Sequence, residues 1–190
     1  MEKKNIMKRL TYLFDHPTHK TLINERCVEI PLIFRYIDFT GGDLTEIGAV
    51  SPYYCQYEHD CIDPTDKRAT RNDKAEECDF TGLNVLSVST IEHIGRGDYH
   101  LEKEPDLAFK VLNKIYSECK TCLITWPIGY NLELDKAADK NLKNYDYFFV
   151  VREEEMKWGV VEDKSGFNHK YGKPFRNANS IIVISKGWGI

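Results

Sequence analysis

The sequence contains no apolar run of membrane-spanning length, no block of Lys and Arg, no internal repeat and no low-complexity tract. Its polar start, MEKKNIMKRL, lacks the apolar core of a secretory signal. We therefore expect a cytoplasmic protein that has no membrane partner. With a formal net charge of −4 and no basic block, binding to nucleic acid through phosphate contacts is not expected either.

Cysteine is sparse as well, with six residues scattered over a chain of 190, too few for a disulfide scaffold. Cys119 and Cys122 form a C-x-x-C, and His16 and His19 form an H-x-x-H, which together have the residue types of a zinc site. A single C-x-x-C without a matching pair is weak evidence for metal, and Cys122 opens the apolar run CLITW. Buried, reduced thiols are the simpler interpretation, and no metal is predicted.

What the sequence does have is the balance of a globular protein, with 42% apolar and 29% charged residues. Residues 1–190 are predicted to form one domain with a substantial core. Residues 1–40 are a helical lead-in, in which a small apolar patch around Leu10 and Tyr12 precedes a helix in the segment ERCVEIPLIFRYIDF. Pro31 suits the first turn of that helix, and the two glycines that follow the segment end it.

Short apolar runs that alternate with helical patterns predict an α/β sheet that is mainly parallel and has an antiparallel end. The strongest strands are predicted at residues 84–90, 121–126, 145–151 and 180–185, and weaker ones at 44–48, 61–62, near Cys78 and at 157–161. The connection between the first two strands has room for only one or two helical turns. An amphipathic helix is predicted over residues 104–119, with Pro105 at its first position.

Four loops should meet at the carboxyl ends of these strands, which is where open α/β sheets bind ligands. They are residues 48–52, 63–66, 89–97 and 127–131. Each loop contains polar or titratable residues that an apolar core would not select. Their convergence predicts a ligand site.

Two carboxylates at this edge each have two interpretations. Glu46 lies in a strand, and a buried unpaired carboxylate is costly, so we expect it to pair with a cationic ligand or a ring of backbone N–H groups. The alternative is an ordinary surface carboxylate. Asp63, at the end of the second strand, can accept both ribose hydroxyls of a nucleoside, or it can form a turn before Pro64 and Asp66.

Glu92 and His93 follow the strongest strand directly. Histidine is the side chain whose unperturbed pKa permits proton transfer near neutrality, so His93 is a candidate general base. The alternative is a solvated loop in which His93 packs for structural reasons. From the residues alone that alternative is the simpler one.

Several motifs taken together resemble the Rossmann-like (class I) S-adenosylmethionine-dependent methyltransferases, and in particular a poorly characterised group of them. They are ERCVEIP at residues 25–31, EIG at 46–48, SVSTIEHIG at 87–95, PIGYN at 127–131 and YGKPF at 171–175. The resemblance extends over nearly the whole chain from about residue 22.

This resemblance implies a seven-stranded, mainly parallel sheet of order 3-2-1-4-5-7-6, with the last strand antiparallel and helices on both faces. It implies S-adenosylmethionine as the cofactor, bound by Glu46, Gly48, Ala49, Asp63, Pro64, Cys78, Asp79, Ser89 and Thr90. The catalytic residues would be His93 and Glu92, and the acceptor would contact Glu29, Tyr130 and Asn131.

The function implied is methyl transfer to a small-molecule or glycan acceptor. The alternative is a binding or scaffolding module that has the methyltransferase fold but no catalytic activity. A nicotinamide-dependent oxidoreductase is disfavoured, because the glycine-rich turn that holds a pyrophosphate is missing.

Overall fold

A computed structural model describes residues 13–17 and 19–188, and within them a seven-stranded mixed sheet carries helices on both faces. The strands are β1 (Thr45–Ile47), β2 (Asp60–Ile62), β3 (Asn84–Val88), β4 (Thr121–Pro127), β5 (Asp146–Glu154), β6 (Lys157–Val161) and β7 (Ser180–Lys186). The α-helices are α1 (Arg26–Thr40), α2 (Leu107–Glu118) and α3 (Leu132–Asn141). Of the predicted apolar patch, Leu10 and Tyr12 lie outside the described residues, whereas Leu13 and Phe14 pack against the core on the α1 face of the sheet.

The strand order is β2-β1-β3-β4-β7-β5-β6. Strands β2, β1, β3 and β4 are parallel to their neighbours, whereas β7 is antiparallel to both β4 and β5, and β6 is antiparallel to β5. The prediction of a mainly parallel sheet is therefore correct only for its first half. The second half is antiparallel because β7 returns between β4 and β5, and because β5 and β6 form a hairpin.

The predicted edge strand near Cys78 is wrong. Residues Ala75–Glu77 form a short 3-10 turn, and the outer edge of β2 carries only an isolated bridge between Ile62 and Arg71. Residues 65–77 are polar and poor in strand-forming residues, so this segment offers no apolar face to a sheet. The seventh strand is instead β6, at the opposite edge, where the sequence indicated a small strand.

Helix α1 begins five residues before Pro31, so this proline is interior and not in the first turn as predicted. An interior proline leaves the carbonyl four residues earlier without its helical donor. Here that carbonyl, of Cys27, accepts a hydrogen bond from the Phe14 N–H at 2.8 Å. The predicted end of the helix is confirmed, because Gly41 adopts the left-handed conformation (φ 62°) at the C-cap.

The apolar core forms one layer on each face of the sheet. Helix α1 packs on Leu86 and Val88 of β3 and Val183 of β7, while α2 and α3 pack on Val85 and Ile124 on the other face. No helix was predicted at α3, although Asn131 and the acidic residues of the following turn are a helix-start signal. No helix within the described part of the chain has both the length and the apolar character needed to cross a bilayer.

The C-x-x-C lies at the junction of α2 and β4, where Cys119 and Cys122 are both buried. Cys55 alone of the six thiols is half-buried. In residues 13–17 and 19–188 no group of three His, Cys, Asp or Glu side chains is arranged to hold a metal ion.

Candidate functional site

The carboxyl ends of β1, β2 and β3 meet around two adjoining cavities of about 110 and 380 Å³. Both cavities are lined by Gly48 after β1, by Asp63 and Pro64 after β2, and by Thr90 after β3. We call these two cavities together the cleft. Three of the four predicted loops thus come together at this edge of the sheet.

The smaller cavity has an apolar wall formed by Ile47, Ile62 and Leu107. The larger one is more polar and is lined by Arg26 from α1 and by His93. The cleft thus combines an apolar wall with polar groups, as small-molecule sites generally do.

The end of β1 approaches the end of β3 so closely that only glycine fits at position 48. Gly48 has a φ of 82°, and a Cβ placed there would lie 2.1 Å from Oγ1 of Thr90. The backbone of the turn is therefore exposed to the cleft without a side chain, and Ala49 and Val50 continue its lining.

Glu46 is fully buried beneath this turn. Its Oε1 accepts hydrogen bonds from the N–H groups of Val50 (3.0 Å) and Ser51 (2.8 Å), and its Oε2 lies 2.6 Å from Nε2 of His59. The structure therefore pairs Glu46 with backbone N–H groups and an imidazole. Its carboxylate shapes the turn, and it is the turn that faces the cleft.

The Glu46–His59 pair makes a testable contribution to stability. Burial lowers the pKa of His59, but the hydrogen bond to Glu46 and the charge of that carboxylate outweigh burial, and the pKa is raised above its ordinary value. A raised pKa stabilises the fold fully below the unfolded pKa of about 6.5, and this stabilisation is lost as the pH rises through the folded value. The Tm difference between wild type and His59→Gln should therefore be largest below about pH 6.5 and shrink as the pH rises above it.

The control for this experiment is His169→Gln. Burial lowers the pKa of His169, so its contribution depends on pH with the opposite sign. A pH-independent difference for His59→Gln in differential scanning calorimetry would contradict the assignment of a charged pair.

Asp63 forms the predicted turn and also lies in the wall of the cleft. Its Oδ1 accepts hydrogen bonds from the N–H groups of Thr65 (2.7 Å) and Asp66 (2.8 Å), so it does form a turn. It also lines both cavities of the cleft. Every side-chain hydrogen bond that Asp63 makes within the described residues falls on Oδ1, which leaves Oδ2 for a ligand.

Cys78 and Asp79, predicted to lie near the ligand, are not in the lining of the cleft. Asp79 accepts a hydrogen bond from the Thr81 N–H, and the Cys78 thiol donates to the Lys74 carbonyl. Because no strand forms here, the 3-10 turn presents Lys74, Ala75 and Glu76 to the cleft instead.

Glu29 of α1 is fully buried behind the cleft and does not reach it. Its Oε1 accepts hydrogen bonds from the hydroxyls of Ser89 and Thr125, both at 2.7 Å, and its Oε2 accepts one from Arg26 at 2.6 Å. Ser89 is held at a φ of 40°, in the left-handed region. Glu29 therefore fixes the two residues that do line the cleft, Ser89 and Arg26.

Arg26 was not among the predicted site residues. A helical Arg followed three positions later by a Glu, in the segment ERCVEIP, is the signal that marks it. The sequence does not show that this pair points towards the sheet.

His93 belongs to a polar group that the sequence indicated only in part. Its Nδ1 lies 2.7 Å from Oδ2 of Asp98, and the Tyr130 hydroxyl donates to the same carboxylate oxygen at 3.4 Å. The guanidinium of Arg96 stacks on the Tyr130 ring at 4.2 Å and donates to the Tyr130 carbonyl. Asp98 was not among the predicted site residues, although the loop that contains it is rich in polar residues.

Glu92 lies next to this group but is buried, with 2% of its surface exposed. Its Oε2 has no hydrogen-bond partner within the described residues, and its Oε1 is 3.8 Å from Nε2 of His93. Burial raises the pKa of the Glu92 carboxyl well above its ordinary value and so favours the protonated form. This shift makes Glu92 a weaker candidate than His93 for the predicted general base.

Asn131, predicted to contact the acceptor, is engaged in structural contacts. Its Oδ1 caps α3 by accepting from the Leu134 N–H at 3.1 Å, and its Nδ2 donates to the Glu92 carbonyl at 2.9 Å. Asn131 thereby ties the start of α3 to the segment that carries His93. Tyr130 remains in contact with the His93 ring, with centroids 4.9 Å apart.

No protein-family profile, curated protein or solved structure matches this chain. The class that fold and site define is an α/β protein with a cleft at the carboxyl ends of its parallel strands.

Proposed function

We propose that this protein transfers a methyl group from S-adenosylmethionine to a hydroxyl of a small-molecule or glycan acceptor. The observation that carries the proposal is the cleft in which the Gly48 turn, Asp63 and the His93–Asp98 pair come together. A nucleoside-binding edge and a histidine oriented by a carboxylate suit such a transfer, because a hydroxyl acceptor has to lose its proton.

The strand order supports the proposal. The order expected of a Rossmann-like methyltransferase, 3-2-1-4-5-7-6, reads β2-β1-β3-β4-β7-β5 here when its third strand is left out. The antiparallel direction of β7 agrees with the strand in that position of the family. On this proposal the sheet has lost one edge strand and gained β6 at the other edge.

The residues of the cleft fit the cofactor. The apolar wall of Ile47, Ile62 and Leu107 suits an adenine ring, Oδ2 of Asp63 is available to ribose hydroxyls, and Gly48 lets the backbone approach the ligand. When bound, S-adenosylmethionine supplies a methyl carbon that bonds to the acceptor atom as its bond to sulfur breaks, leaving S-adenosylhomocysteine.

The chain itself would orient the acceptor and remove its proton. Asp98 accepts the hydrogen bond from Nδ1–H of His93, which places the lone pair of the neutral imidazole on Nε2. Nε2 then takes the proton of the acceptor hydroxyl. Tyr130 donates to Asp98 and so helps to hold that carboxylate against the imidazole.

The test is calorimetric titration of the protein with S-adenosylmethionine and S-adenosylhomocysteine, with a nicotinamide dinucleotide as control. We expect micromolar binding of the first two, an accompanying rise in Tm, and no heat from the dinucleotide. Absence of both heat and stabilisation would refute the proposal, because a ligand held by the native state must stabilise it.

A second candidate, a catalytically silent binding module, is favoured by one observation. Asp63 Oδ1 is already occupied by the N–H groups of its own turn, so fewer acceptor sites remain for a ribose than a free carboxylate would offer. Such a module would give no heat with either cofactor form in the same titration.

A further inference from the structure

A third cavity, of about 270 Å³, opens from the cleft on the side of α1. It is continuous with the cleft, because Arg26, Ala49, Val50 and Tyr53 line both. Its remaining lining comes from His19 and Tyr54. We call this cavity the side chamber.

The aromatic rings of the side chamber are fixed in position. His19 packs edge-on against Tyr54 and Tyr53, with centroids 5.1 and 5.9 Å apart. The Tyr53 hydroxyl donates to Asp66 at 2.9 Å, and the Arg68 guanidinium stacks on the Tyr53 ring at 3.8 Å. These contacts hold the walls before any ligand binds, which lowers the entropic cost of binding.

The side chamber offers a ligand no uncompensated charge from its described lining. Arg26 is the one described residue of that lining with a permanent charge, and Glu29 neutralises it at 2.6 Å. A charged ligand of either sign therefore gains little from Arg26.

Polar groups nevertheless point to a hydroxyl-rich ligand. His19 and Tyr54 contribute an imidazole and a phenol to the lining. The Tyr54 hydroxyl lies beside the guanidinium of Arg26. A sugar ring combines an apolar C–H face, which packs on aromatic rings, with hydroxyls that bond to such groups.

We infer that the side chamber binds a neutral hexose unit as the methyl acceptor. The inference rests on the proposed methyl transfer, since the chamber opens into the cleft that His93 lines. The volume falls just below the range of about 300 Å³ and more that is typical of small-molecule sites, which suits one sugar ring.

The test is saturation-transfer NMR on the whole protein, with and without S-adenosylhomocysteine. The probes are methyl glucoside, galactoside and mannoside, with glucose 6-phosphate and methyl glucosaminide as charged counterparts and p-cresol as a planar hydroxyl compound. We expect at least one neutral hexoside to bind, and to bind more tightly than either charged sugar and than p-cresol. Binding of a charged sugar or of p-cresol in preference to every hexoside would overturn the inference.

Whether the hexoside binds in the side chamber is tested with Tyr54→Ala, and Tyr57→Ala is the matched control. Tyr57 is a nearby exposed tyrosine that does not line the side chamber. Affinity for the hexoside should fall about tenfold in Tyr54→Ala and stay within about twofold in Tyr57→Ala. Tyr54→Phe, or His19→Ala, replaces the first variant if it does not fold. Unchanged affinity in the folded variant would contradict the assignment.

The two proposals fail separately. Binding of S-adenosylhomocysteine without binding of any hexoside would refute the acceptor site and leave the methyltransferase proposal standing. Hexoside binding that is lost in Tyr54→Ala, with no binding of S-adenosylhomocysteine, would refute methyl transfer and leave the sugar site.

Discussion

Replacing His93 with Gln is expected to lower the rate of methyl transfer by about 10²–10⁴-fold, the range typical of a lost general base. Gln preserves hydrogen-bonding capacity at a similar size but cannot take up a proton near neutrality. S-adenosylhomocysteine affinity should change little, because the main cofactor contacts proposed are those of Gly48 and Asp63. The measurements are single-turnover transfer and calorimetric titration of the same preparation.

Asp98→Asn should give a smaller loss, since the base remains and only its tautomer and orientation are disturbed. His169→Gln is the matched control, because it makes the same substitution at a histidine that does not line the cavities. Transfer at the wild-type rate in His93→Gln would mean that the acceptor needs no base. A carboxylate acceptor would meet that description, and the hexose inference would then fail with it.

Asp63→Asn is expected to weaken binding of S-adenosylhomocysteine by about 10–100-fold. A hydrogen bond to a charged group contributes about 1.5–3 kcal/mol, which corresponds to such a factor. The Asn side chain retains an Oδ1 that can accept from the Thr65 and Asp66 N–H groups, so the turn and the Tm should be preserved. Asp63→Ala should lose both the affinity and part of the stability.

Asp79→Asn is the control for this pair of variants. Asp79 also accepts from a backbone N–H two residues later, but it lies away from the cleft. Unchanged affinity in Asp63→Asn, combined with loss of folding in Asp63→Ala, would show that Asp63 is only a turn residue. A loss of affinity in Asp79→Asn would restore the original prediction that Asp79 lies near the ligand.

The strands and the two predicted helices were readable from the sequence because their signals are local. Alternating or continuous apolar residues predicted β3, β4, β5 and β7, and the helical spacing of Val111, Leu112 and Ile115 predicted α2. The start of α3 was also encoded locally, at Asn131, but its polar turn was interpreted as a ligand loop.

The position of the edge strand could not be predicted in the same way. The residues of β6 and of the segment near Cys78 do not indicate which edge of the sheet carries the additional strand, because strand pairing depends on residues far away in the chain. The polar character of residues 65–77 hinted that an edge strand would be weak there.

The sequence by itself determined the α/β class, the order of the main elements and the loops that form the cleft, since each depends on residues within a few positions of one another. Only the tertiary structure decided which groups the buried Glu29 side chain contacts. Glu29 reaches Ser89 and Thr125 across 60 and 96 positions. These hydrogen-bond partners are determined by how α1 packs on the sheet, and the local periodicity of the sequence does not indicate that packing.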